Sequence, residues 1–212
     1  MEITWYGHSC FLFKDKKGRK LLTDPFDNSV GYALPNENVD VVTISHHHFD
    51  HDYTESLAGV PNVLDKCGFF YSCDIPISGL PSYHDKDKGA KRGENILFVF
   101  EMDEFRLCHL GDLGHELYAD DIDKLGKIDI LFIPVGGNFT IDGKEASELA
   151  KRIKPHLIIP MHYKTPALSF PLESVENFVL HMKSGEKIHD HTLIVNEMPD
   201  SYNNVKILEY KS

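Results

Sequence analysis

Apolar residues along this chain come in short runs of strand length, punctuated by Gly, Pro, Asp and Asn, and a helical period enters only in the second half. Ile3 to Trp5, Cys10 to Lys14 and Lys20 to Thr23 read as strands, and the turn Lys16-Lys17-Gly18 joins the last two as a hairpin would. Further strands are predicted at Val39–Ile44, Ile75–Leu80, Ile96–Phe100, Phe105–Leu110, Ile128–Pro134, Leu157–Pro160, Thr192–Val195 and Val205–Tyr210. Asp142 to Ile153 predicts a capped helix. Glu145 stands three residues after Asp142, as in a capping box, and Ala146, Leu149, Ala150 and Ile153 share one face. Pro171 to Lys183 predicts a second helix with Val175, Phe178, Val179 and Met182 inward, and Tyr118 to Leu125 a shorter one.

Strands first and β-α alternation later imply an α/β protein with two sheets and helices packed outside them. No repeat, low-complexity tract or Pro/Gly/Ser-rich linker divides the chain, so residues 1–212 read as one domain. The length, 212 residues, suffices for a sizeable core, and 42% apolar with 26% charged residues is ordinary for a globular protein. A formal charge of −11 argues against a nucleic-acid partner. No apolar stretch approaches the roughly 20 residues that span a bilayer. The start, Met1-Glu2-Ile3-Thr4-Trp5, lacks the charged and apolar regions of a signal peptide. Cys10, Cys67, Cys73 and Cys108 show no metal-binding or Cys-x-x-Cys spacing and read as reduced and mostly buried, which fits a cytoplasmic protein.

The chemistry concentrates in Ser45-His46-His47-His48-Phe49-Asp50-His51, directly after the apolar run Val39–Ile44. Imidazole and carboxylate suit zinc, iron, nickel and manganese, and a strand end gives such a site a rigid edge. Other candidates obey the same rule: His84 follows Ile75–Leu80, Asp112 follows Phe105–Leu110, and His162 follows Leu157–Pro160. Open sheets gather their sites at such ends. His109 reads as packed or hydrogen-bonded, and His115, His156, His181, His189 and His191 as surface or structural residues.

His46-x-His48-x-Asp50-His51 resembles the motif of the metallo-β-lactamase superfamily. "LTDPF", "LCHLGDLG" and "IIPMHYKT" resemble further motifs of that family in its order. The resemblance implies a four-layer αββα sandwich and two divalent transition-metal ions, zinc first, with manganese, nickel or iron as other options. It implies that His46, His48 and His84 hold one ion and Asp50, His51 and His162 the other. Asp112 would bridge them, and Asp24 would orient the cluster from behind. His47 and Phe49 fall at variable positions. The context "PSYHDKDKG" departs from the usual Gly-His-Thr or Gly-His-Ser, so Asp85 is a rival to His84. The opening "ITWYGHSCFLF" and the stretch "IPVGGNFTIDGKEASELAKRIKPHLIIPMHY" resemble the branch that includes ascorbate-6-phosphate lactonase and N-acylphosphatidylethanolamine phospholipase D. That branch would place His8 near the metals.

The implied activity is metal-dependent hydrolysis of an ester, lactone or phosphoester bond of a small substrate. The nucleophile would be a metal-bound hydroxide, with Asp50, His51 and Asp112 as the catalytic set. The alternative is a non-hydrolytic metal protein, di-iron redox or metal-binding, on the same fold. Lys86, Lys88, Lys91 and Arg92, and separately Lys164, offer charges to an anionic substrate, or else form solvated loops.

Overall fold

The computed structural model describes residues 1–59 and 61–212. Among these, strands form two sheets. The first has six strands in the order β13-β1-β2-β3-β4-β5, with β1 Glu2–Gly7, β2 Cys10–Lys14, β3 Lys20–Thr23, β4 Val41–Thr43, β5 Asn62–Leu64 and β13 Thr192–Ile194. The second has eight, in the order β12-β14-β11-β10-β9-β8-β7-β6. Its members are β6 Gly68–Ser72, β7 Ile75–Tyr83, β8 Glu94–Met102, β9 Phe105–His109, β10 Ile130–Pro134, β11 Leu157–Met161, β12 Glu186–Ile188 and β14 Asn204–Leu208. The hairpin β2–β3 is antiparallel, as the Lys16-Lys17-Gly18 turn predicts. The pairs β9–β10 and β10–β11 are parallel, as β-α alternation requires.

The strands are apolar on both sides because both sides are covered. In β2, Phe11 and Phe13 enter the core between the sheets, while Cys10 and Leu12 enter a second cluster on the outer face. Phe13 meets Phe100 and Phe132 of the opposite sheet edge-to-face, with centroids 5.0 and 5.1 Å apart. Helices α1 Ala119–Leu125, α2 Gly143–Ile153 and α3 Glu176–Met182 add their apolar residues to the same core, α2 packing on α3 and on β10. The outer face of the six-stranded sheet is covered by loops and a 3-10 turn at Asn28–Val30, through Phe26, Val30, Tyr32, Leu168 and Leu172. The result is the expected αββα sandwich, with its fourth layer reduced to that turn and those loops.

The capping box is present: Asp142 accepts from the N–H of Glu145 at 2.8 Å, and Glu145 accepts from the N–H of Asp142 at 3.1 Å. The helix expected from Pro171 begins only at Glu176. Residues before it spend their backbone groups elsewhere, Glu173 donating to Gly136 and accepting from Lys164, both at 2.8 Å, so they cannot close a helical turn. Strand β7 runs past Leu80 to Tyr83, because β8 pairs with it along the whole length. The strands β5, β6 and β12 were not expected, and all three lie at sheet edges. There one face escapes the core: Phe69 and Tyr71 of β6 are 72% and 69% exposed, although Phe69-Phe70-Tyr71 is an aromatic run of the kind that favours strands. Cys10 and Cys108 are buried, but Cys67 and Cys73, which flank β6, are exposed, against the expectation that most cysteines would be buried. Among the described residues, no helix is long and apolar enough to cross a membrane.

Candidate metal centre

Six strand ends converge on one spot. His8 follows β1, Asp24 follows β3, the His46–His51 segment follows β4, His84 follows β7, Asp112 lies beyond β9, and His162 follows β11. The His46–His51 segment coils back on itself, the N–H groups of His51 and Asp52 donating to His48 O at 2.8 and 3.1 Å. This turns His46, Asp50 and His51 into the protein. His47 stays 63% exposed, beside Asp52 and Asp65.

Asp24 is fully buried and organises the cluster from behind. It accepts from the N–H and the hydroxyl of Ser45, both at 2.7 Å, and from His51 Nδ1 at 3.1 Å. Ser45 Oγ in turn lies 2.9 Å from His46 Nδ1, so one carboxylate fixes two imidazoles. With Nδ1 occupied, each ring presents Nε2 forward. His51 Nε2 lies 3.3 Å from Asp112 Oδ1, and His84 and His162 Nε2 lie 3.3 and 3.0 Å from Asp112 Oδ2. His46 Nε2 is 4.0 Å from the same oxygen. His8 Nε2 is 3.2 Å from Asp50 Oδ2, and its ring sits 4.1 Å from that of His162.

Asp112 is placed by a device that sequence reading missed. Buried Asn95 accepts from the N–H of Asp112 at 2.9 Å and donates to Leu110 O at 3.0 Å, bracketing the turn. Gly111 sits at φ 53°, and a Cβ there would lie 2.4 Å from Asn95 Oδ1 and 2.5 Å from Ser45 Cβ. His109 is hydrogen-bonded as expected, its Nε2 to Ser9 O at 2.9 Å while Nδ1 accepts from the N–H of Gly111 at 3.2 Å. The only forward signal for Asn95 was a polar residue opening an otherwise apolar run.

Among the described residues, ligand-type atoms fall into three groups, each within 4.8 Å: His46, His48 and His84; His46, His51 and Asp112; His8, Asp50, His51 and His162. Asp85 stands apart, because its oxygens accept from the N–H groups of Asp87, Gly89, Lys91 and Arg92. Lys164 is not brought to the cluster. Its ammonium caps the carbonyls of Leu168 and Phe170. Lys86 and Lys91 are paired with Glu145 and Asp87.

The electrostatics call for positive charge. Burial alone would raise Asp112, but His162 and His51 hold its carboxyl well below the usual range. Burial also lowers His51, yet Asp112 and Asp50 outweigh it and keep the imidazole protonated far above its ordinary value. Burial, then His51, pushes His46 down to about 2, and burial, then His162, takes His8 to about 4. Ionised carboxylates and neutral imidazoles are the states that bind metal, so His46 and His8 are already suited, and at His51 an ion would take the place of the ring's second proton. Buried His46 Nε2, His51 Nε2 and Asp112 Oδ1 have no hydrogen-bond partner, which is costly unless a cation completes them. The donor set therefore fits metal ions.

A family model described as the β-lactamase superfamily domain matches residues 2–162. A UPF0173 protein of Pyrococcus abyssi is 31% identical over 183 residues, spanning 78% of this chain and 84% of its own. A UPF0173 metal-dependent hydrolase of Thermoplasma acidophilum is 31% identical over 192 residues, with the same 78% and 84% coverage. A Thermotoga maritima crystal structure, provisionally described as a Zn-dependent hydrolase of the metallo-β-lactamase superfamily, superposes with a TM-score of 0.84 and 38% identity over 99% of each chain. The chain thus belongs to the metallo-β-lactamase superfamily and is a metal-dependent hydrolase.

Proposed function

We propose that this chain hydrolyses an ester, lactone or phosphoester bond of a small substrate at a dinuclear metal site. His46, His48 and His84 would hold one ion, Asp50, His51 and His162 the other, with Asp112 shared. The observation that carries the reading is the set of overlapping ligand groups, with buried donor atoms left unpaired, beside a cavity of about 310 Å³. Such ions, when bound, lower the pKa of a coordinated water to about 7 and polarise a carbonyl or phosphoryl oxygen.

The protein's own groups prepare that chemistry. Asp24 and Ser45 keep the protons of His51 and His46 on Nδ1 and so leave Nε2 free. His8 Nε2 hydrogen-bonds Asp50 Oδ2 and fixes the carboxylate at the cavity floor. No Ser, Thr or Cys lies among the described residues lining the cavity, which supports water as the nucleophile. The hydrolase relatives favour this reading over a redox or purely metal-binding protein.

The test is metal analysis with a panel of nitrophenyl esters, lactones and phosphodiesters, assayed with zinc, manganese and nickel. Bound metal should approach two ions per chain. Turnover should rise with pH through about 7, vanish with a chelator and return with metal. Hydrolysis that survives full metal removal, or that traps a covalent acyl-enzyme, refutes the reading.

A further inference from the structure

The cavity over the candidate metal centre has two unlike halves. His48, Asp50, His84, Asp112 and His162 form its floor. Its walls are Phe49, Phe139, Phe170 and Pro171, together with Arg92, the single Lys or Arg among the described lining residues.

Both the cation and the aromatic wall are built in place. Backbone N–H groups of Lys91 and Arg92 donate to Asp85 at 2.9 and 2.7 Å, which ties Arg92 to the residue that follows His84. The guanidinium carbon stands 5.4 Å from the centroid of the Phe139 ring, and Nη2 donates to Asn138 O at 3.3 Å. Asn138 Nδ2 donates to Pro171 O at 3.2 Å, joining the two loops of the wall, and Phe49 meets Phe170 edge-to-face at 6.2 Å. Lys86 and Lys91 have acidic partners, whereas Arg92 pairs with no carboxylate among the described residues.

Charge bookkeeping makes that unpaired guanidinium informative. Two divalent ions would set four positive charges against buried Asp24, Asp50 and Asp112. Arg92 is thus not needed to neutralise the site, and its planar fork matches a carboxylate or phosphate. Resting on the hydrolase reading of the same site, we propose that the substrate is an anion with an apolar body. Its carboxylate or phosphate group pairs with Arg92, while an aryl or acyl portion lies on Phe49, Phe139 and Phe170. Arg92 is then a specificity residue.

The test uses the zinc-loaded full chain and calorimetric binding of four probes: phenylacetate, phenylphosphonate, the neutral 2-phenylethanol, and acetate. Arg92→Gln should weaken phenylacetate and phenylphosphonate roughly 10- to 100-fold, the loss of one hydrogen-bonded charge pair, and leave 2-phenylethanol unchanged. Arg92→Lys should restore part of the loss. Phe139→Ala should weaken the three aromatic probes and not acetate. The anion that loses more on Arg92→Gln identifies the head group. Unchanged affinity of both aromatic anions in Arg92→Gln overturns the proposal, as does a wild type that binds neither, or that prefers 2-phenylethanol. Failure of the hydrolase reading is separable: Arg92-dependent binding without turnover of any panel substrate leaves this inference standing and removes that one. Metal content and thermal melting of each variant show whether site and fold are kept.

Discussion

Asp24→Asn isolates the orienting carboxylate with the least disturbance elsewhere. Asp24 sits at φ 39°, in the left-handed region that Asn tolerates and Ala resists. The substitution keeps shape and one oxygen, which can still accept from the N–H of Ser45. The other position becomes an NH2 group facing Ser45 Oγ and His51 Nδ1, where an acceptor stood 2.7 and 3.1 Å away. Ser45 can rotate and accept. His51 cannot keep a proton on Nδ1 against a donor, so the neutral ring shifts it to Nε2, the atom 3.3 Å from Asp112 Oδ1. Metal must then displace that proton. Loss of such an orienting partner costs about 10–100-fold in metal affinity, or about 1.4–2.8 kcal/mol at 1.4 kcal/mol per tenfold. The metal-free fold should also lose about 1.5–3 kcal/mol, the usual worth of a hydrogen bond to a charged group. Zinc affinity would be read by competition with a chromophoric chelator, and apo stability by urea denaturation. Wild-type zinc affinity in Asp24→Asn would falsify the tautomer argument, whatever happened to stability.

Gly136→Ala should displace His162, because a Cβ there would lie 2.1 Å from His162 O and 3.1 Å from Tyr163 Cα. The expected result is fewer bound metal ions and a loss of about 1–3 kcal/mol from overpacking, and full metal content would count against the placement of His162. Glu37 gives a pH prediction away from the centre. Burial pulls its carboxyl up, but hydrogen bonds from Lys20 at 3.0 Å and Tyr6 at 2.9 Å hold it below the ordinary 4.5. That stabilisation is complete above the ordinary value and is lost as pH falls through the lowered folded one. Glu37→Gln should therefore cost about 1 kcal/mol at neutral pH and converge with wild type in acid. A gap that stays constant from about pH 7 to about pH 3 would exclude this linkage.

What the chain determined by itself was local or periodic. Strands buried on both faces showed as apolar runs, and the Asp142 cap stood next to the helix it starts, because those signals need only neighbouring residues. His46, His48, Asp50 and His51 were legible as a group for the same reason. Edge strands β5 and β12 were not, since three residues of mixed polarity show no period, while β6 carried an aromatic run that went unread. The false start of α3 at Pro171 came from a local propensity that long-range pairing with Gly136 and Lys164 overrode. Tertiary structure alone decided that His8 reaches Asp50, that Asn95 brackets Asp112, and that Arg92 faces the cavity while Lys164 does not. Each of those contacts joins residues far apart in the chain or depends on where a loop's backbone bonds are spent. No window of sequence contains both partners.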